Sequence, residues 1–318
     1  MTFLSLCTTE TIKSAALVLK NGHLVAFPTE TVYGLGADPT NQEAISRIYE
    51  AKGRPADHPL IVHIASIDAL GQWASEIPDY AVTLARDFWP GPMTLVLKRS
   101  DLAQDFITGG QETVGLRVPA NPVALALIKE FNALGGKGIA APSANRFGAV
   151  SPTTAEAVEE ELSPYLLAGD QILNGGQSLV GVESTIIDCT GTTPMILRLG
   201  AITPLMVEES TGLVALESNP AAIRVSGSLA THYSPTAKVI LDVVAVPGDG
   251  LIAPDQIPTP NGVIRLAAPG TIEEYARVLY QALRSADQKG LDVVVVLQPG
   301  GDGLAAAIRD RLQRSASN

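Results

Sequence analysis

A chain of 318 residues, 46% hydrophobic and 17% charged, can bury a sizeable core in one large or two ordinary domains and is not of disordered composition. Its formal charge is −11 and both halves are acidic: residues 1–200 hold 13 Lys and Arg against 21 Asp and Glu, residues 201–318 hold 9 against 12. This excludes a chain-wide basic surface and disfavours nucleic acid as a direct ligand, while leaving room for a local basic pocket.

No stretch reaches the roughly 18 apolar residues of a membrane span. Met1 to Glu10 lacks the basic start and apolar core of a signal peptide, which predicts a cytoplasmic location. Cys7 and Cys189 are far apart and carry no motif, and His23, His58, His63 and His232 have no zinc spacing. No metal caged by the protein alone is expected.

In chain order, Ile12, Ala15, Ala16 and Leu19 at helical spacing predict a helix over 9–20. Apolar β-type runs at 23–27, 60–64, 94–98, 113–118, 138–141, 184–189 and 195–199 alternate with helical patterns at 41–51, 78–87, 121–132 and 153–162. Thr153 is the expected N-cap of the last of these helices. The alternation is an α/β signature. Residues 218–235 (SNPAAIRVSGSLATHYSP) read as a linker. Beyond it, 237–246 and 291–297 read as strands buried on both faces, with helices at 271–287 and 302–314, which makes a small second α/β domain.

The stretch FPTETVYGLGADP (27–39) runs from a strand end into Thr29, Glu30, Thr31 and Tyr33, then Gly34 and Gly36. Position 39 is Pro, so the dinucleotide fingerprint GxGxxG is incomplete, and no GxxxxGK[ST] occurs. On the glycines alone, a turn using unusual φ values is the simpler reading. In AKGRP (51–55), Pro55 biases Arg54 toward extended backbone, so Lys52 and Arg54 share a face and suit a phosphate chain. A lone pair of this kind is also common in solvated loops. APSAN (141–145) repeats the device with the neutral Ser143 and Asn145, although such turns are frequent. Arg117 and Arg198 lie within β-type runs and point either to an anion in a cleft or to the solvent face. His63, inside a strand, reads first as a core histidine. Together these residues sit at the ends of consecutive elements, where α/β folds bind ligands. The set is cationic and hydrogen-bonding, with no Ser-His-Asp order, paired carboxylates or reactive Cys.

The motifs FPTETVYGLG, AKGRP-x-x-x-PLIVHI, WPGPMTLVL, TVGLRVP, APSAN-x-x-x-x-x-SPT, GVESTI-x-D and ILRLG occur in one order. Over about residues 10–205 this resembles the YrdC-like family. The second domain and THYSP (231–235) resemble its two-domain, Sua-type branch. The resemblance implies an open twisted mixed sheet flanked by helices around a concave pocket (1–210), a linker over the site (211–235) and a small Rossmann-like domain (236–318). It also implies a nucleotidyltransferase that joins L-threonine, bicarbonate or carbon dioxide, and ATP into threonylcarbamoyl-AMP, with release of pyrophosphate and Mg2+ carried by the ATP phosphates. A separate transferase would then modify tRNA beside the anticodon.

By the same resemblance, Thr31, His63, Arg117, Ala141 and Ser184 bind threonine. Lys52 and Arg54 grip phosphates and carry catalysis, and His58, Thr113, Ser143, Asn145, Ser151 and Arg198 contact ATP. His232, Tyr233 and Pro235 belong to the linker over the pocket. Two alternatives stand beside this reading. Hydrogenase-maturation carbamoyltransferases share the domain but add an acylphosphatase region and zinc-finger cysteines, which this chain lacks. A non-catalytic RNA-binding or translation-associated module is opposed by the acidic balance.

Overall fold

A computed structural model describes residues 3–217, 223–225, 227 and 233–317. His232 lies outside the described residues. The described chain is a mixed α/β structure with three sheets.

The apolar run after the first helix (Thr9–Lys20) becomes the short strand Val25–Phe27, fully buried. It pairs antiparallel with Gly34–Gly36 and parallel with Gln171–Asn174, which in turn pairs with Leu4–Leu6. The second sheet has seven strands in the order 216–217, 195–198, 185–188, 93–98, 113–117, 61–63 and 139–140, with mixed directions. Antiparallel bridges Gly34–Ser143 and Ala37–Ala140 tie the two sheets together. Their junction explains a glycine. Gly36 has an ordinary strand conformation, but a Cβ there would meet Ile139 Cγ2 at 2.7 Å and Phe27 Cε1 at 2.8 Å. Close approach of the sheets, rather than an unusual φ, excludes a side chain.

The third sheet is parallel, in the order Lys238–Leu241, Val293–Val296, Gly250–Ile252 and Ile264–Ala267. Helices Ile272–Gln288 and Leu304–Ser315 pack on it. Of the long strand expected at 237–246, only Lys238–Leu241 forms, and it is an edge strand with Lys238 exposed. Val293–Val296 is internal and mostly buried, as parallel strands are. The helix expected to be capped by Thr153 is instead capped by Thr154, whose Oγ1 accepts from Ala157 N at 3.3 Å. The chain leaves the seven-stranded sheet only after Leu216–Glu217, inside the span read as linker.

One buried cluster, around Ala245, Leu251, Ala253 and Val295, lies wholly within the second domain, and a larger one is shared with the first part. Val32, Val150 and Val182 from the first part pack in one buried cluster with Tyr233, Ala276, Leu279, Tyr280 and Leu283. Gly181 makes this fit possible: with φ +84°, its α-carbon lies so close to helix Ile272–Gln288 that a Cβ would reach Ala276 O at 2.3 Å. The small domain is therefore packed directly behind the segment that carries Glu183 and Ser184.

Candidate active site

Where the two sheets meet lies a cleft of about 530 Å³, a volume that includes the solvent at its open mouth. Of the residues singled out in the sequence, Thr31, Arg54, His63, Arg117, Ala141, Ser143, Ser184, Arg198 and Tyr233 line it, with Thr29, Val32, Tyr33, Gly34, Ile61, Pro142, Glu183 and Gly227.

The wall from 29 to 35 is fixed by its own hydroxyls and by the APSAN segment. Thr29 Oγ1 donates to Val32 O at 2.6 Å and lies 2.8 Å from Thr31 Oγ1, closing a tight turn after the strand. Leu35 N donates to Pro142 O and Ala144 N to Tyr33 O, at 2.9 and 2.8 Å. Below this wall lies Arg117. Its Nη1 donates to Thr31 Oγ1 at 3.0 Å, its Nη2 to Glu30 Oε1 at 2.6 Å and its Nε to Gly91 O at 3.3 Å. Glu30 Oε2 accepts from Ala120 N at 3.0 Å. Both side chains of the pair are buried, at 5% and 8% exposure. Glu30, for which the sequence offered no role, is thus the counter-ion of Arg117. A guanidinium has five N–H donors, and the three contacts described leave it able to bind an anion.

His63 ends strand Ile61–His63 beside Arg117 in register, with its ring edge-on to Phe27 at 5.8 Å. Burial, aided by the Arg117 charge, pushes its pKa down to about 3, so the imidazole is neutral. It is both a core histidine and a cleft residue; the two readings do not compete. Arg198 is held from the opposite side. Its Nε and Nη2 donate to Ser184 O at 3.0 and 2.9 Å, and Nη2 also to Ser184 Oγ at 3.1 Å. Ser184 Oγ lies 2.8 Å from Thr94 Oγ1.

The KGR segment is not extended as expected. Helix Gln42–Lys52 runs through Lys52 and ends on Gly53 in the left-handed conformation, the usual glycine stop. The two cations therefore part. Arg54 lines the cleft, with Nη2 donating to Pro59 O at 3.0 Å. Lys52 lies wholly buried behind APSAN, where its ammonium donates to Ser143 O at 2.7 Å and to Asn145 O. Burial, reinforced by Arg54, lowers its pKa well below the usual lysine range.

The remaining expected nucleotide residues do not line the cleft. Asn145 Nδ2 is turned to Arg146 O and Ala149 O, at 2.7 and 2.9 Å. Ser151 Oγ donates to Glu183 Oε1 at 2.7 Å, and His58 sits edge-on to Phe147 at 5.3 Å. Thr113 lines an adjoining hollow with Gln111, Arg224 and Val225. Pro235 is buried away from the cleft, while Tyr233 enters it as a wall.

Sequence reasoning missed Glu183, although it stands in GVESTI. Its partners come from far along the chain: Tyr280 Oη at 2.8 Å and Arg311 Nε at 3.0 Å. Burial pushes the Glu183 carboxyl up, but Arg311 and Arg198 overcome this and hold it at about 2. Among the described residues, no three His, Cys, Asp or Glu side chains converge as metal ligands. The arrangement offers fixed cations and hydroxyls around one cleft and can position an anionic substrate; it presents no activated nucleophile of its own.

A family model named Sua5/YciO/YrdC and described as telomere recombination matches residues 17–200. A second model, the C-terminal domain of threonylcarbamoyl-AMP synthase, matches residues 200–317. A threonylcarbamoyl-AMP synthase of Pyrococcus abyssi is 41% identical over 96% of this chain and 94% of its own length. One from Bacillus subtilis is 38% identical over 96% and 92%. The crystal structure of P. abyssi Sua5 complexed with L-threonine superposes with a TM-score of 0.89 at 38% identity, covering 99% of this chain and 98% of that one. Seven ordered motifs, the cleft they build and both family models agree: the chain belongs to the Sua5/YciO/YrdC family, in its two-domain form.

Proposed function

We propose that this protein makes threonylcarbamoyl-AMP from L-threonine, bicarbonate or carbon dioxide, and ATP, releasing pyrophosphate. The observation that carries the reading is one cleft lined by three buried arginines, Arg54, Arg117 and Arg198, with hydroxyls between them and no nucleophile. The substrate brings its own nucleophile. Threonine's ammonium loses a proton to solvent, the free amine forms an N–C bond with carbon dioxide, and the nitrogen then gives up a second proton to leave the carbamate. The carbamate oxygen then bonds to the α-phosphorus of ATP as the bond to the β-phosphate bridging oxygen breaks, and that electron pair leaves with pyrophosphate. Such chemistry needs charges held close and desolvated, which preorganised guanidinium groups supply.

Arg117, braced by Glu30 and Thr31, takes the threonine carboxylate through its remaining donors, and His63, Ala141 and Ser184 complete that end. Arg54, Ser143 and Arg198 face the triphosphate. Lys52 acts from behind, by holding the carbonyls of Ser143 and Asn145. Asn145, Ser151, Thr113 and His58 reach ATP only by small movements of their segments, and Tyr233, which lines the cleft, belongs to the nucleotide side.

Mg2+ would arrive with ATP. Among the described residues, Glu30 and Glu183 stand beside the cleft and are engaged by Arg117 and Arg311, which supports the reading that the ATP phosphates would carry the ion. The product serves a transferase acting on tRNA beside the anticodon. No helix among the described residues is long and apolar enough to cross a membrane; the use of ATP and a product destined for tRNA are consistent with a cytoplasmic reaction. Incubation of the full chain with MgATP, L-threonine and isotope-labelled bicarbonate, followed by mass spectrometry, tests the reading. Label in threonylcarbamoyl-AMP is expected; ATP converted to AMP with no labelled adduct would reject it.

A further inference from the structure

A carboxylate lining a triphosphate cleft is an electrostatic liability, and Glu183 is such a group. Its compensation comes from the other domain. Arg311, on the last helix Leu304–Ser315, is fully buried and donates from Nε to Glu183 Oε2 at 3.0 Å. Its Nη2 donates to Leu199 O at 2.8 Å and its Nη1 to Asp310 at 2.6 Å, so the fork spans both domains. Tyr280, on helix Ile272–Gln288, donates to the same Glu183 oxygen at 2.8 Å. The other oxygen accepts from Ser151 at 2.7 Å. Tyr233 is packed between the two small-domain residues: its ring stacks on Tyr280 at 5.6 Å, and the Arg311 guanidinium lies 5.5 Å from its centre.

We propose that Arg311 is a positioning residue for the nucleotide end of the cleft: it fixes Glu183 and cancels that carboxylate's charge, so that the small domain completes the ATP site without touching ATP. This rests on the synthase reading for the identity of the anion.

The groups facing Glu183 are Arg198 on strand Met195–Arg198, Tyr233 after the linker, Tyr280 on the helix Ile272–Gln288, and Arg311 with Asp310 on the last helix. Removing Arg311 leaves Arg198 as the one cation among them, and Arg198 is itself needed by the nucleotide. Glu183 then repels ATP when ionised and ceases to do so when protonated. A purely structural Arg311 would produce no such pH dependence.

The test compares Arg311→Met, Glu183→Gln and the double variant in the full-length chain. Calorimetric ATP affinity is measured from pH 5.5 to 8.5, alongside KM for ATP and for threonine. Arg311→Met should weaken ATP binding about tenfold or more at pH 8, with partial recovery as pH falls. Threonine KM should change less, since the Thr31–Arg117–Glu30 group shares no hydrogen bond with Glu183. Glu183→Gln alone should bind ATP at least as tightly as the unmodified protein. The double variant should recover most of the loss and show a flat pH response. A double variant as weak as Arg311→Met, or an Arg311→Met that binds normally, overturns the proposal. If Arg311→Met does not fold, Glu183→Gln decides: weakened ATP binding there also overturns it. Should the variants show the predicted ATP-binding pattern while the unmodified protein makes no product, the synthase reading fails and this one stands.

Discussion

Arg117→Ala probes a buried charge pair in the wall of the cleft. The substitution leaves Glu30 buried beside Thr31, with only the Ala120 amide still donating to it. At 5% and 8% exposure the pair is hardly screened, so removing one partner should cost about 3–5 kcal/mol. For a chain of 318 residues that corresponds to a fall in Tm of roughly 4–8 °C. Threonine would lose charge-assisted bonds worth about 1.5–3 kcal/mol each, a KM rise of at least about tenfold for one bond and over a hundredfold for two. Glu30→Gln behaves differently. It keeps the shape and frees more of Arg117 for substrate, so threonine KM should stay level or fall while stability drops less. Thermal melts with and without saturating threonine, with initial rates of pyrophosphate release across threonine concentrations, separate these effects. The threonine-induced rise in Tm should vanish in Arg117→Ala and persist in Glu30→Gln. Arg117→Ala with threonine KM within about twofold of the unmodified protein would refute the assignment of Arg117 to the carboxylate.

Three further outcomes are expected. On the proposed assignment of Arg54 to the triphosphate, Arg54→Ala should lower synthesis by about 10² or more with its far-ultraviolet circular dichroism unchanged; near-normal turnover would remove it from the phosphate grip. Lys52→Met deprives Ser143 O and Asn145 O of their buried donor, so stability should fall by about 2–3 kcal/mol and ATP KM should rise together; a change in turnover with neither of these would show that Lys52 meets substrate directly. For His63, the folded pKa of about 3 lies below the unfolded value near 6.5. The unfolded state then binds more protons between those values, so the His63 contribution is full above about pH 6.5 and is lost as pH falls toward 3. His63→Gln should flatten the pH dependence of the unfolding free energy across that window, by a few kcal/mol in order of magnitude; an unchanged slope would contradict a neutral, buried imidazole.

Much of the cleft was legible because its residues stand at the ends of successive strands and turns, and local pattern finds those places. Thr31, Arg117, Ser143, Ser184 and Arg198 all occur next to apolar β-type runs, and the structure gathers them around one cavity. Lys52 was misplaced for a local reason as well. Pro55 argued for extended backbone, but Gly53 as a left-handed helix stop controls where the lysine points. What pattern could not supply were pairings across long sequence distances. Leu4–Leu6 forms a strand because Gln171–Asn174 lies beside it, and Gly36 is glycine because Ile139 and Phe27 press on it. Glu183 and Arg311 are each unremarkable in sequence, and become a site only when helix Leu304–Ser315 docks behind the cleft. The second domain was recognised by architecture, and its part in the pocket only by contact.

The central claim is that the nucleophile attacking ATP is supplied by two substrates, threonine and bicarbonate or carbon dioxide, and not by the protein. Pyrophosphate release measured with single omissions tests this most directly. With MgATP, L-threonine and bicarbonate together, release should be rapid, and it should fall to background when either threonine or bicarbonate is left out. Release that continues undiminished without threonine would contradict the account.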